Sequence, residues 1–342
     1  MHYPLYSKVE KGTKPMKRAT LILVFTNIMA LVLVSCAPST TVTKIYLQEV
    51  EVSGPINSSP IHITDSSEPA ITVSSKFSYN PKNDLSGKTG EHTLVNQQGL
   101  FQLDTVYNPN GTFSFRETPG VNRYNYESNN LFWNMANVSL SLDFDFKLSR
   151  SFALFFGGNY ASVNQKSVWG GLVGIGLMGF AKNSALRFDV GLNIQEMPYN
   201  AYTIVSVTKT DYSGSQNYVS AYNDISKKTQ FNPFAALTIN SANPDWLFNI
   251  FLFAKYGTQS LINFTPEDEV YHNPLYYGDV YITEDNRGEA TAGIIDLTSG
   301  LFFNFGDSGK IIVGAKLNWI VQISDIDNSF FIMPIVQFDF RL

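Results

Sequence analysis

Residues 138–148 read VSLSLDFDFKL, and this stretch decides the fold that the sequence predicts. Apolar side chains occupy every second position, and Ser, Asp and Lys fill the positions between them. Because successive side chains of a β-strand point to opposite faces, this pattern predicts a strand with one apolar and one polar face. The same alternation recurs in residues 185–196, 310–323 and 331–342. From residue 70 onward the chain is therefore predicted to be all-β.

The predicted strands are long, and the connections between them differ strongly in length. Most strands run for about ten residues or more, as a tilted membrane crossing requires, whereas strands of soluble domains usually have about five or six. Short connections at 149–151, 182–184, 241–245 and 306–309 contrast with long ones at 197–230 and 262–289. This asymmetry is typical of an outer-membrane barrel, which has short periplasmic turns and long extracellular loops.

Aromatic residues and the carboxyl-terminal strand point to the same architecture. Aromatic residues fall near predicted strand ends, where the aromatic girdles of a membrane barrel lie. Those expected on the extracellular side are Tyr160, Trp169, Tyr256 and Trp319, and those expected on the periplasmic side are Phe152 and Trp246. Val336–Leu342 alternates to the last residue and resembles the terminal strand of outer-membrane β-barrels, although Leu stands where Phe is usual. That resemblance implies recognition by the barrel-assembly machinery.

The strand count is predicted from these segments together. Nine strands follow residue 134, at 135–148, 152–162, 167–181, 185–196, 231–240, 246–260, 290–305, 310–323 and 331–342. Three further candidates precede them, at 70–79, 99–107 and 112–117. Both termini are expected at the periplasmic end, which requires an even number. We predict a transmembrane antiparallel up-and-down β-barrel of twelve strands over residues 69–342, with ten strands as the alternative.

The amino-terminal residues have the layout of an export signal. Basic residues precede Ala19–Val34, an uncharged apolar run that is shorter than the ~20 residues of a membrane-spanning helix. The sequence Leu33-Val34-Ser35-Cys36 then resembles the lipobox of bacterial lipoproteins. This resemblance implies that residues 1–35 are a signal peptide, that cleavage falls before Cys36, and that Cys36 carries lipid in the outer membrane.

Residues 36–68 are rich in Pro, Ser and Thr and show little apolar periodicity. Such composition favours a flexible periplasmic tether between the lipidated amino terminus and the barrel. A plug segment is the alternative.

The composition excludes several classes of protein. Charged residues make up 15 % of the chain, against roughly 25 % in soluble globular proteins, and aromatic residues make up 14 %. A single cysteine excludes a disulfide framework and a cysteine-based zinc site. A net charge of -5 provides no electrostatic footprint for nucleic acid.

Ionisable residues on the polar faces of the strands are predicted to line the lumen. They are Asp143, Asp145, Lys147, Arg187, Asp189, Lys255, Asp296, Lys316, Asp339 and Arg341. Because acidic and basic residues balance, a structural network in a filled or narrow lumen is favoured. The alternative is a polar channel whose wall charges select small solutes.

One predicted loop and one glycine motif are further candidates for binding. The loop over 263–289 combines acidic residues, which could hold a cation, with tyrosines that could stack on a sugar: Tyr271, Tyr276, Tyr277 and Tyr281. The alternative is a solvated loop with its own aromatic packing. The segment Gly174–Gly179 matches G-x-G-x-x-G, but an alternating strand rather than a helix follows it, so dinucleotide binding is not predicted. Its glycines are expected instead to make room for bulky lumen residues such as Phe155.

The histidines decide whether an enzyme is predicted. After the signal the chain contains His62, His92 and His272, and none lies on a predicted barrel strand. We therefore predict a lipid-anchored outer-membrane barrel with a structural or surface-binding role, no enzymatic activity, and no cofactor or metal. A narrow porin-like channel is the alternative, and a membrane-embedded lipid hydrolase that uses His272 is the third hypothesis.

Overall fold

The computed structural model describes residues 38–64, 68–81, 84–89, 94–98, 101–107, 113–119, 123–127, 129–163, 166–243, 246, 248–264, 268–273, 278–306, 308–321 and 330–342. These residues contain nineteen strands, numbered here in chain order: β1 (Thr40–Ser53), β2 (Ala70–Tyr79), β3 (Asp84–Lys88), β4 (Leu94–Gln98), β5 (Phe101–Tyr107), β6 (Phe113–Pro119), β7 (Arg123–Glu127), β8 (Asn130–Asn134), β9 (Val138–Lys147), β10 (Phe152–Val163), β11 (Lys166–Phe180), β12 (Ser184–Asp211), β13 (Gly214–Ser241), β14 (Asn249–Asn263), β15 (Asp268–Asn273), β16 (Asp279–Asp285), β17 (Glu289–Phe305), β18 (Gly309–Val321) and β19 (Phe330–Arg341).

Ten of these strands close into an antiparallel barrel. Sequential neighbours pair from β9 to β14, β14 pairs with β17, and β17, β18 and β19 follow in order. The ring closes because β2 pairs with β19 on one side and with β9 on the other. The predicted barrel is thus confirmed with ten strands, the stated alternative.

The prediction of twelve strands is wrong because two candidate segments lie outside the wall. They correspond to β5 and β6, which pair with each other, while the described pairing of β6 with β13 consists of the single register pair Ser114 and Tyr222. Since β2 pairs directly with β9, the ring has no gap into which this hairpin could fit.

The two faces of the barrel wall differ as a membrane requires. On β9, Leu140 and Leu142 point outward and are exposed, whereas Asp143 and Asp145 are buried inside. The other wall strands repeat this alternation, so the outer surface is apolar and the polar residues face inward. This arrangement is that of a transmembrane β-barrel. No helix among the described residues is long and apolar enough to cross a membrane.

Exposed aromatic residues mark the two borders of the apolar wall. Trp169, Tyr256 and Trp319 lie on the outer surface near one end, and the ring of Tyr160 lies 4.6 Å from that of Trp169. Trp246 is exposed near the opposite end. Aromatic side chains of this kind sit at the level of lipid headgroups.

The two ends of the barrel are unlike. Short connections join β9 to β10, β11 to β12, and β17 to β18, and we call this end the short-turn end. At the other end, β3 to β8 intervene between β2 and β9, and β15 and β16 intervene between β14 and β17. We call it the long-loop end.

The predicted loop over 197–230 is wrong, because β12 and β13 continue as strands. They pair without interruption from Ser184 and Ser241 to Asp211 and Gly214, far beyond the wall. Residues 199–210 of β12 also pair with β1 on their other edge, so the backbone is bonded on both sides. The predicted loop over 262–289 likewise contains the β15–β16 hairpin.

The amino-terminal segment differs from the tether that its composition favours. β1 pairs antiparallel with β12 and parallel with β16 and β8, all at the long-loop end. Residues 54–64 then run through the barrel interior, which corresponds to the plug alternative. The expectation that the chain begins and ends at the same end of the barrel is not met by the described residues, because Thr40 lies at the long-loop end and Arg341 at the short-turn end.

The apolar core of the protein lies inside the barrel. The cluster near the long-loop end includes Leu47, Val52, Trp133, Met197 and Ile262. The cluster nearer the short-turn end includes Ile61, Phe155, Phe234, Phe253 and Phe302.

Candidate functional site

The barrel interior is occupied by residues 54–64, which we call the lumen segment. All of them are buried except Ser58 and Ile63, which are partly exposed. At about 3.3 Å per residue an extended chain of this length spans about 36 Å, enough to cross a wall about 25 Å tall. The lumen segment is therefore long enough to pass from one end of the barrel to the other.

Two side-chain amides of the wall bind the backbone of the lumen segment in the same way. Gln337 Oε1 accepts a hydrogen bond from Ile61 N–H at 3.2 Å, and Gln337 Nε2 donates to the Ile61 carbonyl at 2.9 Å. Asn240 Oδ1 accepts from Thr64 N–H at 3.3 Å, and Asn240 Nδ2 donates to the Thr64 carbonyl at 3.0 Å. Each amide thus serves both backbone groups of one residue, which is possible because it carries a donor and an acceptor.

Gln259 binds two neighbouring residues of the lumen segment. Its Oε1 accepts from Asn57 N–H at 2.9 Å, and its Nε2 donates to the Pro55 carbonyl at 3.0 Å. The backbone groups of the wall strands are used in strand pairing, so wall side chains must satisfy the buried backbone of a segment inside the barrel. The three amides perform this task at three levels of the lumen.

A cluster of charged side chains surrounds His62. Arg187 donates two hydrogen bonds to Asp145, at 2.7 and 2.8 Å, and a third to Asp189 at 2.7 Å. His62 Nδ1 lies 3.0 Å from the other oxygen of Asp189, and the His62 ring is 4.9 Å from that of Phe155. The structure thus brings together Asp145, Arg187 and Asp189, which are predicted to line the lumen. The lumen segment adds the imidazole of His62 to them.

A second cluster lies around Asp296. Lys316 Nζ is 3.0 Å from its carboxylate and Lys255 Nζ is 3.6 Å from it. Lys255 also donates to the Asn57 carbonyl at 2.7 Å, which connects this cluster to the lumen segment. Lys76, absent from the predicted set, makes an equivalent bond at 2.6 Å, to the carbonyl of Ser59.

Two predicted lumen residues lie inside the barrel but outside these clusters. Asp143 is buried and accepts a hydrogen bond from Ser141 at 3.0 Å. Lys147 Nζ lies 4.8 Å from the centre of the Phe180 ring.

The last two predicted lumen residues lie near the short-turn end. Asp339 is buried and accepts from Gln337 at 2.8 Å, whereas Arg341 is partly exposed and lies 3.7 Å from Glu68. Both line a polar recess that opens at this end. Among the described residues, no group of three or more His, Cys, Asp or Glu side chains is arranged to hold a metal ion.

Sequence reasoning missed several residues of the occupied interior for different reasons. Lys76, Asn240 and Gln337 lie on inward-facing positions of β2, β13 and β19, so the period of two could have identified them. His62 lies outside any strand, and no periodic signal pointed to its position.

The predicted loop-binding tyrosines are described only in part. Tyr271 and Tyr281 are paired across β15 and β16, both are exposed, and their ring centres are 6.1 Å apart. Tyr276 and Tyr277 lie outside the described residues, as do His92 and Cys36. His272 lies on β15, outside the barrel wall.

The glycine motif lies within β11, and β12 follows it. Gly174 faces the interior, where a Cβ atom would fall 2.3 Å from the Phe155 ring and 2.5 Å from the Val190 carbonyl. This close approach explains the small residue at that position.

Comparison with known proteins concerns the fold alone. No protein-family model matches the chain, and a search of curated proteins found no match. Among solved structures, similarity was found to the outer membrane protease OmpT of Escherichia coli, at 11 % identity and a TM-score of 0.35 over 82 % of this chain and 99 % of the other. It was also found to the translocator domain of autotransporter NalP of Neisseria meningitidis, at 10 % identity and a TM-score of 0.27 over 81 % and 90 %. A bacterial polysaccharide outer membrane secretin matches at 10 % identity and a TM-score of 0.20 over 81 % and 100 %. Such identities do not transfer an activity.

Proposed function

We propose that this protein is a lipid-anchored β-barrel of the bacterial outer membrane with a structural or surface-binding role. The observation that carries the proposal is a barrel with an apolar outer wall and an interior occupied by its own chain. A closed barrel satisfies its backbone groups internally and can face lipid, which supports the membrane location.

The occupied interior favours a non-conducting barrel over the channel alternative. Wall amides bind the lumen segment at three levels, and lysines bind two more of its carbonyls. Apolar clusters fill the space at both ends. A solute would have to displace these contacts together, so a polar path would require the lumen segment to leave.

The sheet beyond the wall supports the surface-binding role. It is built from the outer halves of β12 and β13 together with β1, β15 and β16. Exposed tyrosines on it are Tyr212, Tyr218, Tyr271 and Tyr281. Tyrosine combines an apolar ring with a hydroxyl group and is enriched where proteins bind partners.

The lipid anchor and the assembly partner belong to the same proposal. Acyl chains on Cys36, at about 0.8 kcal/mol for each buried methylene, would hold the amino terminus in outer-membrane lipid. The carboxyl-terminal residues Val336–Leu342 would be read by the barrel-assembly machinery. In the folded barrel they belong largely to β19, which pairs with β18 and β2.

Conductance across planar bilayers tests the non-conducting role. We expect the wild-type protein to insert without discrete current steps. In a control variant, residues 54–64 are replaced by Gly and Ser at equal length. This variant should conduct ions because it has lost the side chains that pack inside the lumen, and its current steps would show that the assay can detect an open barrel. Discrete steps from the wild-type protein would support the channel alternative and overturn the proposal.

The lipid anchor and the absence of enzymatic activity need separate tests. Metabolic labelling with a fatty-acid probe should mark the wild-type protein and not Cys36→Ala; label on Cys36→Ala would refute the lipobox interpretation.

Purified protein should not hydrolyse phospholipid. Hydrolysis that is lost in His272→Ala would favour the hydrolase hypothesis.

A further inference from the structure

The lumen segment has a direction, which its contacts define. At its start, Gly54 N–H donates to the Asn134 carbonyl at 2.9 Å, and the Gly54 carbonyl accepts from Trp133 Nε1 at 3.1 Å. Both partners belong to β8, at the long-loop end. At its finish, Thr64 is bound by Asn240, next to the start of the β13–β14 connection at the short-turn end. The chain therefore enters the barrel from the long-loop end.

The chain that precedes the lumen segment runs still farther from the barrel. β1 follows β12 outward from Val52, opposite Tyr199, to Thr40, opposite Thr210. Pairing between β11 and β12 in the barrel wall ends at Gln195. Thr40 lies opposite Thr210, which is about 15 residues beyond Gln195 along β12. At about 3.3 Å per residue this corresponds to about 50 Å of strand.

Ser39 and Thr40, among the first described residues, are held at the tip of this sheet. Ser39 N–H donates to Asp279 Oδ1 at 2.7 Å, and Thr40 pairs in register with Val280 of β16. Two peptide units separate Cys36 from Pro38, and these span no more than about 8 Å. The described chain therefore begins at the tip of this sheet, two positions after Cys36 in the sequence.

The carboxyl terminus lies at the opposite end. Arg341 pairs with Thr72, and Ala70 pairs with Lys147 beside the short β9–β10 turn. Outer-membrane barrels keep their short turns in the periplasm. Thr40 and Arg341 are thus separated by the height of the barrel and of the sheet above it.

We propose that the barrel encloses its own amino-terminal segment so that the mature amino terminus, with the lipids of Cys36, is displayed on the cell surface. This inference rests on the proposed function for the membrane and for the lipid. It adds that the lipid-modification site is extracellular, whereas a periplasmic tether would leave the lipids on the inner side. A polar backbone can cross at membrane depth because it is enclosed by protein rather than by lipid.

Labelling of single introduced cysteines on intact cells tests this topology. Pro38→Cys reports on the amino terminus and Ser213→Cys on the exposed tip of the β12–β13 hairpin. Ser308→Cys and Asn183→Cys are matched controls in exposed turns at the short-turn end. With a membrane-impermeant maleimide, we expect the first two to be labelled on intact cells and the controls only after permeabilisation, with wild-type cells as background.

Two outcomes separate this inference from the proposed function. Labelling of Ser213→Cys from outside, with Pro38→Cys reached only after permeabilisation, would overturn the threading and leave the barrel proposal intact. Labelling of the short-turn controls from outside would instead overturn the proposed orientation. If Pro38→Cys fails to assemble, an epitope inserted between Pro38 and Ser39 and detected by antibody on intact cells gives the same readout. Fatty-acid labelling is scored separately, so loss of lipid does not affect the topology result.

Discussion

The amide of Gln337 binds both backbone groups of Ile61, with distances of 3.2 Å to its nitrogen and 2.9 Å to its carbonyl oxygen. All of these atoms are buried, and the two residues are 276 positions apart in the chain. The Gln337 side chain thus satisfies the backbone hydrogen-bonding groups of Ile61, as a neighbouring strand does for the residues of the barrel wall. The consequences of this relationship can be measured.

Gln337→Ala should destabilise the folded barrel. It leaves the buried N–H and C=O of Ile61 without partners, at about 1–3 kcal/mol for each group. The temperature at which the folded band disappears on heat-modifiability gels should fall. Gln216→Ala, on the exposed part of β13, is the control and should leave that temperature unchanged. Equal temperatures for the two variants would argue against an energetic role of the Gln337 amide.

Arg187→Met should be more damaging, because it removes the cation between Asp145 and Asp189. Breaking one partner of a buried ion pair typically costs about 3–5 kcal/mol, since the remaining charge stays buried without compensation. The urea midpoint of unfolding in detergent should fall accordingly. The double variant Arg187→Met/Asp145→Asn should recover part of the loss, because one uncompensated carboxylate is gone. A double variant no more stable than the single one would contradict this account.

Gly174→Val should destabilise the barrel, whereas Gly179→Val should not. A Cβ at Gly174 would collide with the Phe155 ring at 2.3 Å, but a Cβ at Gly179 meets no atom within 4 Å. Overpacking of this kind costs about 1–3 kcal/mol. Thermal unfolding of the two variants provides the comparison, and Phe155→Ala should partly rescue Gly174→Val. Similar losses in both glycine variants would show that β propensity, rather than the close approach, decides the effect.

The docking of β1 on β12 should weaken at alkaline pH through Tyr202. Burial, followed by the nearby Glu49 carboxylate, raises the pKa of Tyr202 to about 12, and these two residues are opposite each other in the register. The folded state therefore holds this proton more tightly than the unfolded state, in which tyrosine has a pKa of about 10. Stability from this group is fully present below pH 10 and is lost as pH rises through about 12.

The measurement is unfolding by urea between pH 9 and about 12 for the wild-type protein and for Tyr202→Phe. The variant should lose less stability over this range. Tyr212→Phe, on the exposed hairpin tip, is the control and should behave like the wild-type protein. Identical pH profiles for Tyr202→Phe and the wild-type protein would exclude Tyr202 as the responsible group.

The sequence by itself determined the strands and the faces of the wall. Ala70–Tyr79 and Phe152–Val163 lie where the period of two predicts them, and Asp143 faces inward as the alternation requires. This was possible because a strand's alternation depends only on residues adjacent in the chain. An apolar outer face is then enough to indicate a membrane as its surroundings.

Only the tertiary structure decided the strand count, the length of the β12–β13 hairpin and the path of residues 54–64. The lumen segment contains no period of its own, and its conformation is set by Gln259, Gln337 and Asn240, each far away in the chain. The low-charge, Ser- and Pro-rich composition of this region is compatible with a solvated tether as well as with a buried plug. The choice between them depends on whether distant wall side chains can satisfy its buried backbone, and that is a property of the closed barrel rather than of the local sequence.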